Sequence, residues 1–373
     1  MKIQIIIASH KSCFLPSDSS MYLPLQVGAE GKRPLEVLSD HSILDPSGKY
    51  AGQKQFEQDD TGDQISKKNP FYCELTGAYW AWKNLDADVI GLVHYRRYFT
   101  VMPKSYRMTH SWEDSVLTEA ELRSILSSYA SALYGNMENT KEQEKIAGKT
   151  NESRAIDDPT TNQEEALHQL LQNGLLIVPK KRKYYIETLY SHYSHTLDGQ
   201  HLDICRQILV EKMPEYLDDF DLVMKQNWGY MWNMMIASKA VYDKYMTWLF
   251  AILEELEKRI SLDGLSPFEQ RLFGRVSEIL FNVWIHHEMG SMEFRASGNT
   301  QDTSDSANAT YQGQKACDAA SLPVREQKPS DFSNSGLLLL EFPVLHTQAE
   351  NWPLKIRSFL AAKLFGKKYK ASF

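Results

Sequence analysis

The stretch VIGLVHYRRYF, Val89 to Phe99, decides how this chain is read. Val89 to Val93 form an apolar run with the character of a buried strand. The run ends abruptly in His94-Tyr95-Arg96-Arg97-Tyr98. In open α/β sheets, ligands sit at the carboxyl ends of strands. The cluster carries many hydrogen-bond donors and no carboxylate, which points to an anion and first of all to a phosphate. Arginine's planar fork matches phosphate bidentately, and His and Tyr add further donors. Adjacent residues on an extended chain point to opposite faces, so only one of Arg96 and Arg97 need face a ligand. The competing reading pairs both arginines with carboxylates and packs the tyrosines.

Working outward, Lys2 to Ala8 is a β-rich run, a central strand bounded by Ser9-His10-Lys11. Phe14 to Ser66 is loop-rich. Asn69-Pro70 has the form of an N-cap with proline at the first helical position. Tyr72, Leu75, Tyr79 and Trp82 then recur at helical spacing, so Pro70 to Asn84 is expected to be a helix. Thr118-x-x-Glu121 is a capping box for a helix running to about Tyr134. Gly174 to Pro179 is a short strand, and Lys183 to His195 and Leu202 to Met213 are helical. Tyr230 to Ala237 (YMWNMMIA) is an apolar strand candidate, followed by a long helix from Lys239 to Ile260. Ser266-Pro267-Phe268-Glu269 opens the helix that carries Arg271, Glu278 and Trp284. The domain expectation is 1–290 as one unit with a polar surface insertion at 136–163. A low-complexity linker at 297–335 and a C-terminal strand with a basic amphipathic tail at 336–373 follow.

With 373 residues, 42% hydrophobic and 24% charged, the chain has the composition of a globular protein with a sizeable core. A net charge of −7 argues against a general nucleic-acid binder, so any basic site must be local. Cys13, Cys73, Cys205 and Cys317 lie far apart and form no CxxC pair, which suggests neither zinc nor a disulfide framework and fits a reducing cytoplasm. No stretch approaches the ~20 apolar residues of a membrane span.

Other candidates carry an ordinary reading alongside a functional one. Asp59 to Asn69 (DDTGDQISKKN) is a glycine turn followed by donors and a helix start, a form able to hold a nucleotide or sugar, with Asp63 accepting from a hydroxyl. It is equally the composition of a surface loop. His192 and His195, three apart on a helix, share a face, yet a metal site would need a further ligand. His286-His287 suits a helix C-terminus. Asn233 is a lone amide in an apolar run and must find partners. Glu278 lies at helical spacing from Arg271 and Arg275, the pattern of an ion pair or, alternatively, of a catalytic carboxylate. The basic tail, Lys355 to Phe373, suits either an anionic membrane surface or packing on the domain. GxxxxGK[ST], GxGxxG after a strand, GxSxG and Ser-x-x-Lys are all missing, which removes support from P-loop, dinucleotide and hydrolase readings.

The ordered set TGDQISKKNPFYCELTGAYWAWKN, DVIGLVHYRRYF, YSHYSH and NMMIASKAVYDKYMTWLFAILEELEKRI resembles one bacterial family. That family was long known only as a domain of unknown function in capsule, exopolysaccharide and O-antigen gene clusters. Its members are regarded as glycosyltransferases, some associated with galactofuranosyl transfer. The resemblance covers roughly residues 1 to 290 and implies an α/β fold, a GT-A-like Rossmann-type core with a helical C-terminal part. It places Ser9, His10 and Lys11 at the nucleotide side. Thr61-Gly62-Asp63 is similar to a family TGDN block, with Gln64 replacing Asn. Asn69, Glu74, His94 to Phe99, His192, Tyr193, His195 and Asn233 match as they stand.

Many GT-A enzymes hold a divalent metal with an Asp-x-Asp at the end of such a strand. Here the equivalent place reads His-Tyr-Arg. Asp86-Ala87-Asp88 precedes the strand, and Asp219-Phe220-Asp221 follows a helix. The expectation is therefore a cytoplasmic hexosyltransferase without a metal cofactor, peripheral at the inner face of the membrane. It would move galactose, furanose or pyranose, from a UDP-sugar to a lipid-linked glycan. Arg96 or Arg97 would hold the diphosphate, with His94 or Tyr95 completing the anion site. Asp63 is the first candidate for the base, with Glu278 and His192 in reserve. Two other classes stay open: a phosphotransferase or nucleotidyltransferase, and a non-catalytic glycan- or anion-binding module.

Overall fold

A computed structural model describes residues 1–38, 55–134, 159–290 and 337–348, with side chains from residue 163 onward in the third segment. The 136–163 insertion, the 297–335 linker and the 355–373 tail lie wholly or mostly outside these residues. Only 159–163 is described, and it belongs to the helix Pro159–Asn173.

The strands are β1 (Ile3–Ser9), β2 (Tyr22–Gln26), β3 (Glu57–Gln58), β4 (Val89–His94), β5 (Arg97–Phe99), β6 (Leu175–Pro179), β7 (Arg182–Lys183), β8 (Trp228–Gly229), β9 (Met235–Ser238), β10 (Leu338–Phe342) and β11 (Val344–His346). The main sheet runs β10-β6-β9-β4-β1-β2-β3. Its pairs are parallel except where β9 lies antiparallel to β4 and β6. β5 turns back on β4 and pairs with β11, while β7 and β8 form a small ribbon.

Alternation along each strand sorts the core into two layers. Ile6 and Ala8, Ile90 and Leu92, Leu176 and Val178, and Met235 and Ala237 face one side. There they meet the helices Leu75–Asn84, Lys239–Arg259 and Leu272–Met289. Ile5 and Ile7, Val89 and Val93, Leu175 and Ile177, and Ile236 face the other, against the helices Glu119–Tyr134 and Pro159–Asn173. Each large apolar side chain so buried contributes about 1.5–3 kcal/mol. Gly91 is required by closeness: a Cβ there would meet Ile5 Cγ1 at 2.9 Å and Ile236 Cγ1 at 3.2 Å. This is the GT-A-like Rossmann architecture the resemblance implies.

From β1 the chain winds outward through β2 to β3, then returns to the other side of β1 as β4. The order of strands therefore reverses between β1 and β4, the point where open α/β sheets bind ligands. Ala8 and His94 are partners across that junction.

Three expected elements differ. The helix over Pro70 to Asn84 is two helices, Asn69–Tyr72 and Leu75–Asn84, broken at Cys73, whose φ is 53°. Asn69 is helical rather than a cap, and its amide donates to Cys73 O at 2.7 Å and Thr76 Oγ1 at 3.1 Å. Tyr230 to Ala237 is a strand only from Met235, because Trp232 and Asn233 take positive φ and turn the chain. Lys183 to His195 is helical only from Leu189, where Thr188 and Ser191 form a capping box; β7 and a loop precede it.

Candidate active site

A cavity of about 1020 Å³ opens at the β1–β4 junction, at the upper end of the ~300–1,000 Å³ usual for ligand pockets. Ala8, His10 and His94 form its strand-end floor. Both Arg96 and Arg97 line it, because Tyr95 and Arg96 are the two-residue turn between β4 and β5 and strand alternation does not apply to them. Tyr95 organises this corner. Its ring lies 5.4 Å from the His10 ring, 5.0 Å from Lys11 Nζ and 5.2 Å from the Arg96 guanidinium carbon. The Arg97 guanidinium carbon sits 5.4 Å from the Trp232 ring.

The opposite wall is one face of the helix Leu272–Met289 and the turn before it, where Arg271, Arg275 and Glu278 follow at four- and three-residue steps. That helix buries 15 of its 18 residues, which fixes the wall in place. Ser266 and Glu269 cap the entry reciprocally, each backbone N–H donating to the other's side chain, as the sequence predicts. Six cationic side chains (Arg96, Arg97, Arg182, Lys183, Arg271 and Arg275) face three carboxylates in this lining, in a chain whose net charge is negative. His10 registers the field: burial, and then the neighbouring Lys11, Arg96 and Arg271, lower its pKa. Arg275 is 3.6 Å from Glu278, whose carboxylate is buried.

A third wall carries the strongest acid–base arrangement. Glu187, 7% exposed, accepts from His192 Nδ1 at 2.8 Å and from His195 Nδ1 at 2.7 Å. Burial opposes ionisation of Glu187, but these two histidines overcome it and hold its pKa below the ordinary range. His192 lines the cavity. Burial lowers its pKa in spite of Glu187, so at neutral pH it is the Nδ1–H tautomer, and its Nε2 is a lone-pair acceptor. A base held by a carboxylate in this way is the orientation device of nucleophile-activating sites. His195 is directed at the same carboxylate from outside the lining.

Three described non-glycine residues have positive φ: Cys73, Trp232 and Asn233. Cys73 and Trp232 line the cavity, and Asn233 joins the two turns. Its Nδ2 donates to Glu74 Oε1 at 2.7 Å and Gly274 O at 3.0 Å, while its Oδ1 accepts from Ser277 Oγ at 3.0 Å. Such conformations cost about 1–3 kcal/mol each and persist where surrounding contacts enforce them. His94 Nε2 lies 2.6 Å from Trp232 O. A carbonyl only accepts, so that nitrogen carries the proton. Burial also lowers the His94 pKa. His94 thus braces the Trp232 turn through Nε2 while also lining the cavity. Burial pushes the Cys73 thiol up to about 11, which keeps it from acting as a thiolate nucleophile.

Of the sequence candidates, His10, Asn69, Glu74, His94, Tyr95, Arg96, Arg97, His192, Tyr193 and Glu278 meet around the cavity. Ser9, Lys11, Thr61, Gly62, Asp63, His195 and Asn233 do not line it. Ser9 closes its own turn, with Oγ donating to Lys11 O at 2.6 Å. Asp63, the expected base, is exposed and accepts from Tyr79 OH at 3.1 Å, while its backbone pairs with the Asn84 amide. Thr61 accepts from Trp80 Nε1 at 2.9 Å, and a Cβ on Gly62 would meet Asn84 Oδ1. The TGD block thus docks a loop on the helix Leu75–Asn84. The carboxylate that matters structurally in this stretch is Asp59, fully buried, accepting from Gly28 N, Ala29 N, Ser66 Oγ and Thr76 Oγ1 at 2.5–2.9 Å.

Both Asp-x-Asp pairs are engaged elsewhere. Asp88 accepts from Lys2 N at the start of β4. Asp219 binds His286 and His287, and Asp221 pairs with Arg206. Arg182, Glu187, Arg271, Arg275 and Cys73 are site residues that sequence reasoning did not assign. Only the Arg271–Arg275–Glu278 spacing offered a signal.

Fold and site together define an α/β protein of the Rossmann-type class, with an electropositive cleft at the switch point of its sheet. Residues 4–289 match the family described as a domain of unknown function, DUF4422, and the chain belongs to that family. Among solved structures it is similar to the apo structure of the WbbM bifunctional glycosyltransferase, with 22% identity and a TM-score of 0.54 over 94% of this chain. The alignment takes in 46% of that protein, so this chain spans about half its length. No curated protein matches. Among the described residues no helix is long and apolar enough to cross a membrane.

Proposed function

We propose that this protein is a hexosyltransferase of surface-polysaccharide synthesis. In this reading it moves galactose, furanose or pyranose, from a UDP-sugar to a lipid-linked glycan at the cytoplasmic face of the inner membrane. The observation that carries it is the pairing of an arginine-rich cavity at the β1–β4 switch point with a histidine oriented by a buried carboxylate. The donor diphosphate lies against Arg96, Arg271 and Arg275. The acceptor hydroxyl loses its proton to His192 Nε2 as its oxygen attacks the anomeric carbon. The bond from that carbon to the β-phosphate oxygen breaks, UDP leaves with the electron pair, and the arginines stabilise the charge that develops. Glu278, beside Arg275, is suited to orient a sugar hydroxyl. His192 replaces Asp63 as the base. The arginines take the role that a divalent ion has in many enzymes of this fold.

UDP release is the test, measured over a panel of UDP-sugars that includes UDP-galactofuranose, with a lipid-linked acceptor mixture, with and without EDTA. Release with one donor, unchanged by EDTA and lost in Arg96→Ala and His192→Gln, is the expected result. Loss in EDTA that Mg²⁺ or Mn²⁺ restores would return the diphosphate to a metal. Release with no donor at all would leave an anion-binding module.

A further inference from the structure

The loop between β7 and the helix Leu189–Thr196 supplies Glu187 to the chemistry above, but its tip, Tyr185 and Ile186, has no role there. Tyr185 is 94% exposed and Ile186 70%. Six large hydrophobic side chains are exposed among the described residues, and these two are the consecutive pair. Scattered exposed apolar residues are ordinary. An aromatic and an aliphatic side chain held side by side in water are not.

They are held rather than loose. Tyr184 and Glu187, on either side, are buried, and Glu187 is bonded to two histidines. At the base of the loop, β7 pairs with β8, Lys181 Nζ lies 3.3 Å from Glu341 Oε1, and it sits 4.3 Å from the Trp228 ring. Lys180, Arg182 and Lys183 are exposed alongside. The result is a braced finger with an apolar tip and a basic collar, on a chain of net charge −7.

We propose that this finger, Lys180 to Ile186, docks the protein on an anionic phospholipid surface. Tyr185 and Ile186 enter the headgroup region, where amphipathic rings and aliphatic groups partition, and the collar meets lipid phosphates. A soluble polar glycan would leave Ile186 without a partner, and two side chains offer too little area for a stable second copy. Arg182, Lys183, Tyr185 and Ile186 also line the rim of the cavity, so docking brings its mouth to the lipid. On the transferase reading, that is where a lipid-linked acceptor is presented.

Vesicle flotation of the full chain tests this. It should float with phosphatidylethanolamine–phosphatidylglycerol vesicles and stay behind with phosphatidylcholine alone. Partitioning should fall about tenfold or more in Tyr185→Ser/Ile186→Ser and about fivefold for each charge removed in Lys180→Gln/Arg182→Gln, with the thermal midpoint unchanged. Three results would overturn the proposal. In the first, the wild type does not bind; in the second, the variants float like wild type. In the third, a concentration-dependent dimer is lost with Tyr185 and Ile186. UDP release by the wild type without vesicles judges the transferase reading separately.

Discussion

Glu187 holds His192 by its Nδ1 at 2.8 Å, and the same carboxylate holds His195 at 2.7 Å from its other oxygen. If His192 Nε2 takes the acceptor proton, His192→Gln should lower kcat by about 10²–10⁴ while sparing donor affinity. Titration calorimetry with UDP and steady-state kinetics separate the two effects.

The pH profile follows from the same pair. The base works when neutral, and burial sets its pKa below the usual 6.5. Activity should therefore be flat at neutral pH and decline only as pH falls through that lowered value. Glu187 raises the His192 pKa, so in Glu187→Gln the acid limb should move to still lower pH with a smaller plateau.

The arginine corner and the TGD loop make opposite predictions. Arg96→Ala should cost about 10²–10³ in kcat/KM, the usual worth of one group stabilising a developing anion. Asp63→Ala should stay within about twofold, because its carboxylate is exposed and bonded to Tyr79. Equal losses at both positions would return Asp63 to the chemistry.

Asn233→Ala removes the link between the two strained turns and leaves Glu74 and Gly274 O without their donor. Stability should fall by about 1–3 kcal/mol, seen in urea unfolding. UDP affinity should weaken as well, because His94 and Trp232 rest on that turn.

A last prediction concerns acid. Burial opposes ionisation of Asp219, yet His286 and His287 hold its pKa at about 2 against a usual 3.8. A depressed carboxylate stabilises the fold above its unfolded pKa, and that contribution is lost as pH drops through the folded value. The shift corresponds to about 2 kcal/mol. Asp219→Asn should lose it at neutral pH and flatten the decline between about pH 4 and 2, measured by denaturation midpoints.

The strands at the switch point were legible because Ile5–Ala8 and Val89–Val93 are unbroken apolar runs, and the place of the cavity at their ends follows from position. β2 was not, because YLPLQ is five residues long with Pro24 inside it. Little local marks the turn at Trp232 and Asn233: an octapeptide that is apolar but for one amide reads as strand, and the contacts that hold Asn233 come from Glu74, Gly274 and Ser277 elsewhere in the chain. The choice between Asp59 and Asp63 has the same character. Both sit in one polar loop, and only tertiary contacts decide which is buried. Glu187 was hidden inside a stretch read as helix, whereas His192 and His195 were visible through their spacing.

The hairpin that carries Arg97 has its outer edge covered by β11, where Tyr98 pairs with Leu345 and Phe99 with Val344. The wall of the cleft is thus completed by a segment synthesised long after the arginines themselves. On the ribosome, β1, β2 and β4 can assemble early, while β5 waits with an open edge. Pairings this distant in sequence form slowly, and unpaired edges in partly folded chains invite association. Truncation just before residue 337 should therefore yield a chain that collapses around its first strands yet aggregates through the very hairpin that carries Arg97.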